Sequence, residues 1–366
     1  MIIRRIITYI AALLTLCGGA GCVKSGPVPD EFTEVVYQPA YASGFRILRV
    51  PGHESTLIEV CNPWQGADSV RKMIFMARGG EVPPAGVMAV NGSAGRVVCM
   101  STSQIGLLDL FGAADKVVGV GGLDYVSNPT VSSRRDSVAD VGYDGAVDYE
   151  RLIASRPDLV LLFGVNGASA MEKKLDELAV PYAYIGEYLE NTPLARAEWA
   201  VALGELTGCR DKAEAAFRPV AMAYDSIAAA CLAGRVGDQS PRVMLNAPYS
   251  DVWFMPSSDS YMVRLIADAG GSYIYTGNSS GISMPVDIEE AARLVGAADI
   301  WLQPGQAQTL DQLRLMVPKI RFDGPVFNSV PDFWESGVAR PDLVLDDLSR
   351  IMRGDSALTT YFYRLK

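Results

Sequence analysis

Ser101, Thr102 and Ser103 close the apolar run RVVCM and open the segment QIGLLDLFG; a second apolar run, KVVGV, ends on Gly121 and Gly122. Hydroxyls and glycines at strand ends could form a phosphate loop, a nucleophile turn or the rim of a ligand site. A dinucleotide loop requires G-x-G-x-x-G directly after its strand, and a P-loop requires Lys-Ser/Thr after its glycines. Neither occurs at Met100 to Gly106. A nucleophile elbow requires a glycine two residues to either side of the serine, which Ser101 and Ser103 lack. What remains is a strand end carrying hydroxyls and free helix N–H groups, on the edge where open α/β sheets bind ligands.

Other chemistry is sparse. The one histidine, His53, excludes a His-rich zinc or manganese site and Ser-His or Cys-His catalysis, and reads as a structural or surface residue. Carboxylate chemistry is the surviving enzyme alternative: a secreted glycosidase could use two of Asp144, Asp148, Asp251 and Asp332, although each also reads as a turn or cap residue. No C-x-x-C pair occurs. Cys209 and Cys231 flank one helical pattern and would stand about 30 Å apart, too far for a disulfide.

The elements that must position these residues follow from pattern. The 366 residues are enough for two domains, and the formal net charge of −10, with no run of Lys and Arg, argues against a nucleic-acid partner. MIIRRIITYIAALLTLCGGAGC has the charge, short apolar core and small-residue box of a secretory signal. Gly19 to Gly21 before Cys22 resemble a lipoprotein box, so residues 1–22 are expected to be a lipoprotein signal with Cys22 lipidated. Residues 23–95 carry scattered strand signals such as FRILRV and TLIEVCNPW, a small β-rich extension of unread role.

From Arg96 to about 190, short apolar runs (RVVCM, KVVGVGG, DLVLLFG, YAYIG) alternate with helical segments, which predicts a parallel sheet covered on both faces. Residues 191–234 are helical throughout, starting at Thr192-Pro193, broken at Gly208, and carrying Pro219 where a kink is expected. Alternation resumes over 235–366. The expected fold is α/β: two Rossmann-like lobes joined by one long interlobe helix, with lobes that move little relative to each other.

RVVCMSTSQIGLLDLFGAADKVVGV, DVGYDGAVDYERLIASRPDLVLLFG, the connector EYLENTPLARAEW, DAGG and NSVPDFWESG together resemble the periplasmic substrate-binding proteins of ABC transporters for cobalamin and iron complexes, siderophores and haem. The resemblance covers about Arg96 to Leu365. It implies a ligand cleft between rigid lobes, no catalysis, and no cofactor beyond the cargo. It also implies a monomer tethered to the periplasmic face of the membrane by its lipid anchor, and an ABC permease as partner. On the family's pattern the cleft is lined from turns after the strands, which hold Tyr125, Tyr143, Asn166, Tyr249, Trp253, Met284, Gln306, Phe333 and Trp334. Aromatics there suit a large planar or amphipathic ligand. With no histidine in this region, haem ligation would fall to Tyr125 or Tyr143. The family carries a permease-docking glutamate on the first helix of each lobe. The first-lobe position here is Gly106, so Asp109 is the substitute, with Asp259 or Asp268 in the second lobe.

Overall fold

The computed structural model describes residues 28–234, 240–249, 252–355, 357 and 359–366. The signal segment with Cys22, and Asp251, lie outside the described residues.

The extension is a five-stranded sheet of β1 (Glu34–Tyr37), β2 (Phe45–Arg49), β3 (Thr56–Cys61), β4 (Arg71–Ala77) and β5 (Met88–Asn91), antiparallel except for the last pair. Side chains alternate across a strand, and here the two faces have different destinations. Leu48, Leu57 and Phe75 form a small cluster with Phe32, whereas Ile47, Ile58, Ile74 and Met76 enter the first lobe's core. The extension therefore closes that core.

The first lobe holds β6 (Val97–Cys99), β7 (Val117–Val120), β8 (Ala139–Asp140), β9 (Leu159–Leu162) and β10 (Tyr182–Tyr184), all parallel in the order β10-β9-β6-β7-β8. Its helices are α1 (Thr102–Asp109), α2 (Pro129–Ser132), α3 (Tyr149–Ala154) and α4 (Met171–Glu177). The connector is a helical pair, α5 (Pro193–Leu206) and α6 (Arg210–Ala233), turning at Gly208 with φ +72°. Thr192 caps α5 by accepting from the Ala195 N–H, and α6 continues through an exposed Pro219 as the long interlobe helix. Cys209 and Cys231, at its two ends, are free thiols.

The second lobe holds β11 (Arg242–Leu245), β12 (Trp253–Met255), β13 (Ser272–Tyr273), β14 (Met284–Val286), β15 (Ile300–Leu302), β16 (Val326–Ser329) and β17 (Phe362–Arg364). Its sheet runs β13-β11-β15-β16-β17 with only the last strand antiparallel, and β12 pairs with β14 in a separate ribbon. Helices α7 (Tyr261–Asp268), α8 (Ile288–Ala297), α9 (Leu310–Met316), α10 (Ser336–Ala339) and α11 (Pro341–Met352) complete it.

Two features tie these parts together. Along α5, carboxylates sit in the interior: Glu198 accepts from Tyr37 Oη and from the N–H groups of Ala40, Tyr41 and Ala42 at 2.7–2.8 Å. Glu190 takes Ser43 and Gly44 N–H, and Glu205 takes Thr56, Arg78 and Arg210. The second feature is an insertion, in which Val338 and Ala339 of the second lobe belong to the first lobe's core. Gly106 of α1 meets that segment so closely that a Cβ there would lie 2.0 Å from the Glu335 carbonyl oxygen.

Replacing Glu198 with Ala leaves three adjacent N–H groups without an acceptor. Of these only Ala42 is buried, so at ~1–3 kcal/mol for an unsatisfied buried group the variant should lose roughly 1–3 kcal/mol of unfolding free energy in a urea titration. A near-neutral result would show that water replaces the carboxylate.

Candidate functional site

The Ser101 turn is built inward. Gln104 Oε1 accepts from the Ser101 N–H at 3.2 Å, Ser101 Oγ lies 2.7 Å from Ser103 Oγ, and Ser103 Oγ donates to Glu187, which follows β10. Glu187 is fully enclosed and burial pushes its carboxyl up from the ordinary carboxylate range. These hydroxyls are committed to an internal network rather than presented as nucleophiles.

The glycine pair after β7 makes room for a neighbouring turn. A Cβ on Gly122, at φ +85°, would lie 2.7 Å from the Tyr143 ring, and one on Gly121 would press on the Met100 and Gly142 carbonyls at 3.1 Å. The turn after β8 thus closes over the end of β7 and sets Tyr143 beside Tyr125, ring centroids 6.2 Å apart at 60°. Both rings are exposed. Desolvation first, and then the Tyr125 hydroxyl, hold the Tyr143 hydroxyl above its ordinary range. Asn166, exposed and at φ +59°, ends the turn after β9.

On the second lobe, Asn246 and Gln303 take positive φ at the ends of β11 and β15. Asn246 Nδ2 donates to the Phe254 carbonyl at 3.1 Å, and Asn328 Nδ2 holds the Gly305 and Ala307 carbonyls at 2.9 and 2.8 Å. These bonds shape the turns that leave Tyr249 80% exposed and Gln306 exposed; Met284 is 41% exposed on the β14 ribbon.

Two expected ligand residues are core residues instead. Trp253 is fully buried, its indole N–H donating to the Leu245 carbonyl at 3.0 Å while its ring packs on Trp301. In the ribbon the alternation sends Trp253 and Met255 inward and Phe254 outward. Phe333 is buried against Tyr361 and Phe362, whereas its neighbour Trp334 is 51% exposed.

Glu335, which pattern reading missed, joins the lobes across the cleft. Its carboxylate accepts from the Ser127 and Asn128 N–H groups at 2.6 and 3.0 Å, in the turn just after Tyr125. Trp334, the residue before Glu335, and Tyr125, two residues before Ser127, thus flank one interlobe contact along the chain.

The remaining candidates are spread over the surface. Asp109 is exposed on the last turn of α1; Asp259 is exposed and bonded by Ser257; Asp268 is held by Tyr224 Oη at 2.6 Å and by Arg264. Of the acids considered for glycoside chemistry, Asp148 caps α3, Asp332 accepts from Ser336 at 2.5 Å and Asp144 is exposed. His53 lies in the extension with Nδ1 3.5 Å from Glu81. Among the described residues no cluster of three or more His, Cys, Asp or Glu side chains could hold a metal ion.

Two parallel-sheet lobes whose strand-end turns meet across a cleft, spanned by a long helix, define a two-lobed solute-binding fold. A family model described as periplasmic binding protein matches residues 97–315, more than half of the chain, and the chain belongs to that family. An uncharacterized lipoprotein of Methanocaldococcus jannaschii is 25% identical over 280 residues, 71% of this chain. The chain covers 66% of that relative, just under two thirds of its length. In structure the chain is similar to a periplasmic heme binding protein from Pseudomonas aeruginosa, with a TM-score of 0.60, 19% identity, and coverage of 75% of this chain and 98% of that one. It is also similar to the periplasmic vitamin B12 binding protein BtuF of Vibrio cholerae, with a TM-score of 0.52, 12% identity, and coverage of 72% and 99%.

Burial pushes the Glu335 carboxyl up to about 7 from an ordinary 4.5, against the pull of its two N–H donors. A carboxyl raised in the folded state contributes stability that is full below about pH 4.5 and lost as the pH rises through 7, at most about 3 kcal/mol here. Denaturant midpoints measured from pH 4 to 8 should therefore fall over that window in the native protein, with the fall reduced in Glu335→Gln. Parallel curves for the two proteins would remove Glu335 from the pH dependence.

Proposed function

We propose that the chain is the substrate-binding lipoprotein of an ABC importer, capturing an iron complex, either a ferric siderophore or haem, or cobalamin between its lobes and delivering it to a membrane permease. One observation supports this reading most directly: the exposed Tyr125–Tyr143 pair on one lobe and the exposed Trp334 on the other flank, along the chain, the Glu335 contact that joins the lobes. Exposed aromatic faces on both lobes suit a broad, partly apolar ligand. Asn166, Tyr249, Met284 and Gln306 are the further proposed contacts, all exposed on strand-end turns or the β14 ribbon. For haem, the iron ligand supplied by this chain would be Tyr125 or Tyr143, since His53 belongs to the extension. The names of the two structural relatives, heme binding and vitamin B12 binding, support the same ligand classes.

Delivery requires anchoring and docking. Cys22 is the proposed lipidation site, in keeping with the lipoprotein name of the archaeal relative, and two acyl chains suffice for stable membrane attachment. Asp109 and Asp259, both exposed, are the proposed permease contacts. Gly106 itself cannot supply one, because the Glu335 carbonyl occupies the space a side chain would need. The protein is proposed to act as a monomer and to bind without turnover.

Residues 23–366, titrated with haem, cobalamin and a panel of ferric siderophores, should show saturable tryptophan quenching with one ligand class. Trp334→Ala should weaken that binding by ~2–4 kcal/mol, about thirty-fold to several-hundred-fold, with little change in melting temperature. No saturable binding across the panel would overturn the reading. Small-angle scattering profiles with and without ligand should nearly coincide, because the connector pair and the inserted Val338–Ala339 segment fix the lobes.

A further inference from the structure

A cavity of about 420 Å³ lies between the lobes beside the connector, walled jointly by the extension (Cys61, Trp64), the turn after β10 (Tyr188), α5 (Arg196) and the start of α7 (Ser260, Tyr261). Its extension wall falls outside the family-matching residues 97–315.

Arg196 gives the cavity its chemistry. Its Nε donates to the Glu190 carbonyl at 2.9 Å, its Nη2 donates to the Tyr188 carbonyl at 2.8 Å, and its guanidinium lies 4.3 Å over the Tyr261 ring. None of these partners is a carboxylate. Glu190 and Glu187 are close enough to act on its charge, yet neither is hydrogen-bonded to it: Glu190 is held by Ser43, Gly44 and Trp199, and Glu187 by Ser103 through one oxygen, with its Oε2 buried without a partner. No bond to Nη1 is made by the described residues. Desolvation holds the guanidinium below its ordinary range, so the cation is largely withdrawn from water without a bonded anion. Two further groups on the same wall lack partners: Ser260 Oγ and Tyr261 Oη are buried without hydrogen bonds, and Tyr261 is only 4% exposed. Ser260 is also the N-cap of α7 without a side-chain cap bond, so that helix begins at the cavity with its first N–H groups uncapped.

We infer that this cavity is a carboxylate-binding subsite, with Arg196 as the charge partner, Ser260 and the α7 start as further donors, and Trp64, Tyr188 and Tyr261 as walls for a flat apolar body. A guanidinium edge and converging O–H and N–H donors recognise planar oxyanions. The two glutamates nearby disfavour a phosphate dianion and leave a singly charged carboxylate as the better match. The carboxylate can belong to a free aromatic acid or to an arm of the cleft ligand. The subsite does not depend on which iron complex or corrinoid the cleft takes.

Cys61, a partly exposed free thiol on the cavity wall, reports occupancy. Residues 23–366 are labelled with a maleimide at alkaline pH, and the Cys61 and Cys209 peptides are quantified by mass spectrometry, Cys209 serving as the control away from the cavity. Benzoate should slow labelling of Cys61 and not of Cys209, benzamide should not, and Arg196→Gln should weaken the protection tenfold or more. Ser260→Ala should weaken it several-fold, which keeps the test decisive if Arg196→Gln lowers the melting temperature. Protection by haemin and not by its dimethyl ester, again lost in Arg196→Gln, supports the subsite with the carboxylate borne by the cleft ligand. Protection by inorganic phosphate in place of benzoate overturns the carboxylate assignment, and no protection by benzoate or haemin overturns the subsite. Haemin binding with Cys61 unprotected by haemin and by benzoate alike sinks this inference alone, whereas benzoate protection without binding of any iron complex or corrinoid sinks only the transport reading.

Discussion

A file of carboxylates buried along the start of the connector is the constraint on which the rest of the molecule depends. Glu198 and Glu205 are seven residues apart, two helical turns, and so share one face of α5; Glu190 precedes the helix on the same side of the chain. An unpaired buried carboxylate costs several kcal/mol, and each of these is matched by donors from the extension. The connector helix therefore cannot be buried as it is without residues 37–78 around it. The extension in turn directs Ile47, Ile58, Ile74 and Met76 into the first lobe's core, so connector, extension and lobe are mutually required. The family match begins at residue 97, but the folded unit begins with the extension.

Much of the architecture was legible because it rests on period. Short β-branched runs spaced by helical segments marked β6, β7, β9 and β10, and Thr192-Pro193 marked the start of α5. The two-residue strand β8 is too short to show a period, and the closing strand β17 pairs antiparallel with β16, outside the strand-and-helix alternation. The site was legible to the level of the turn and not of the side chain. Trp253 and Phe254 differ only in which side of a two-stranded ribbon they take, and that register is set by pairing with Met284–Val286, far away in sequence. Phe333 and Trp334 stand in a single 3-10 turn, where a step of one residue separates core from solvent. A signal was present for the glutamates: acids at a seven-residue spacing inside the otherwise apolar AEWAVALGEL cannot both reach water when every residue of that stretch is buried.

Gly106 shows how much one absent side chain can decide. Gly106 is the crossing point of α1 with the backbone of Glu335 and Ser336. Two segments from different lobes approach at that point only because the side chain is missing. The same approach lets the Glu335 carboxylate reach the Ser127 and Asn128 amides and lets Val338 and Ala339 fill the first lobe's core. The missing side chain and the interlobe contact are one structural choice.

That choice bears on how the cleft can hold anything. Lobes joined by a helical pair, an inserted segment and a carboxylate bonded to opposing amides have little freedom to close around a ligand. Affinity must then come from walls already in place, since no closure energy is available to assemble them. The proposed contacts Tyr125, Tyr143, Tyr249 and Trp334 are compatible with this requirement, as their rings stand exposed on turns held by glycine contacts and side-chain bonds. Exposed aromatics on both lobes leave apolar surface in water, which a folded chain ordinarily buries. Their persistence on turns so firmly held is what a preformed site for a large, partly apolar ligand requires.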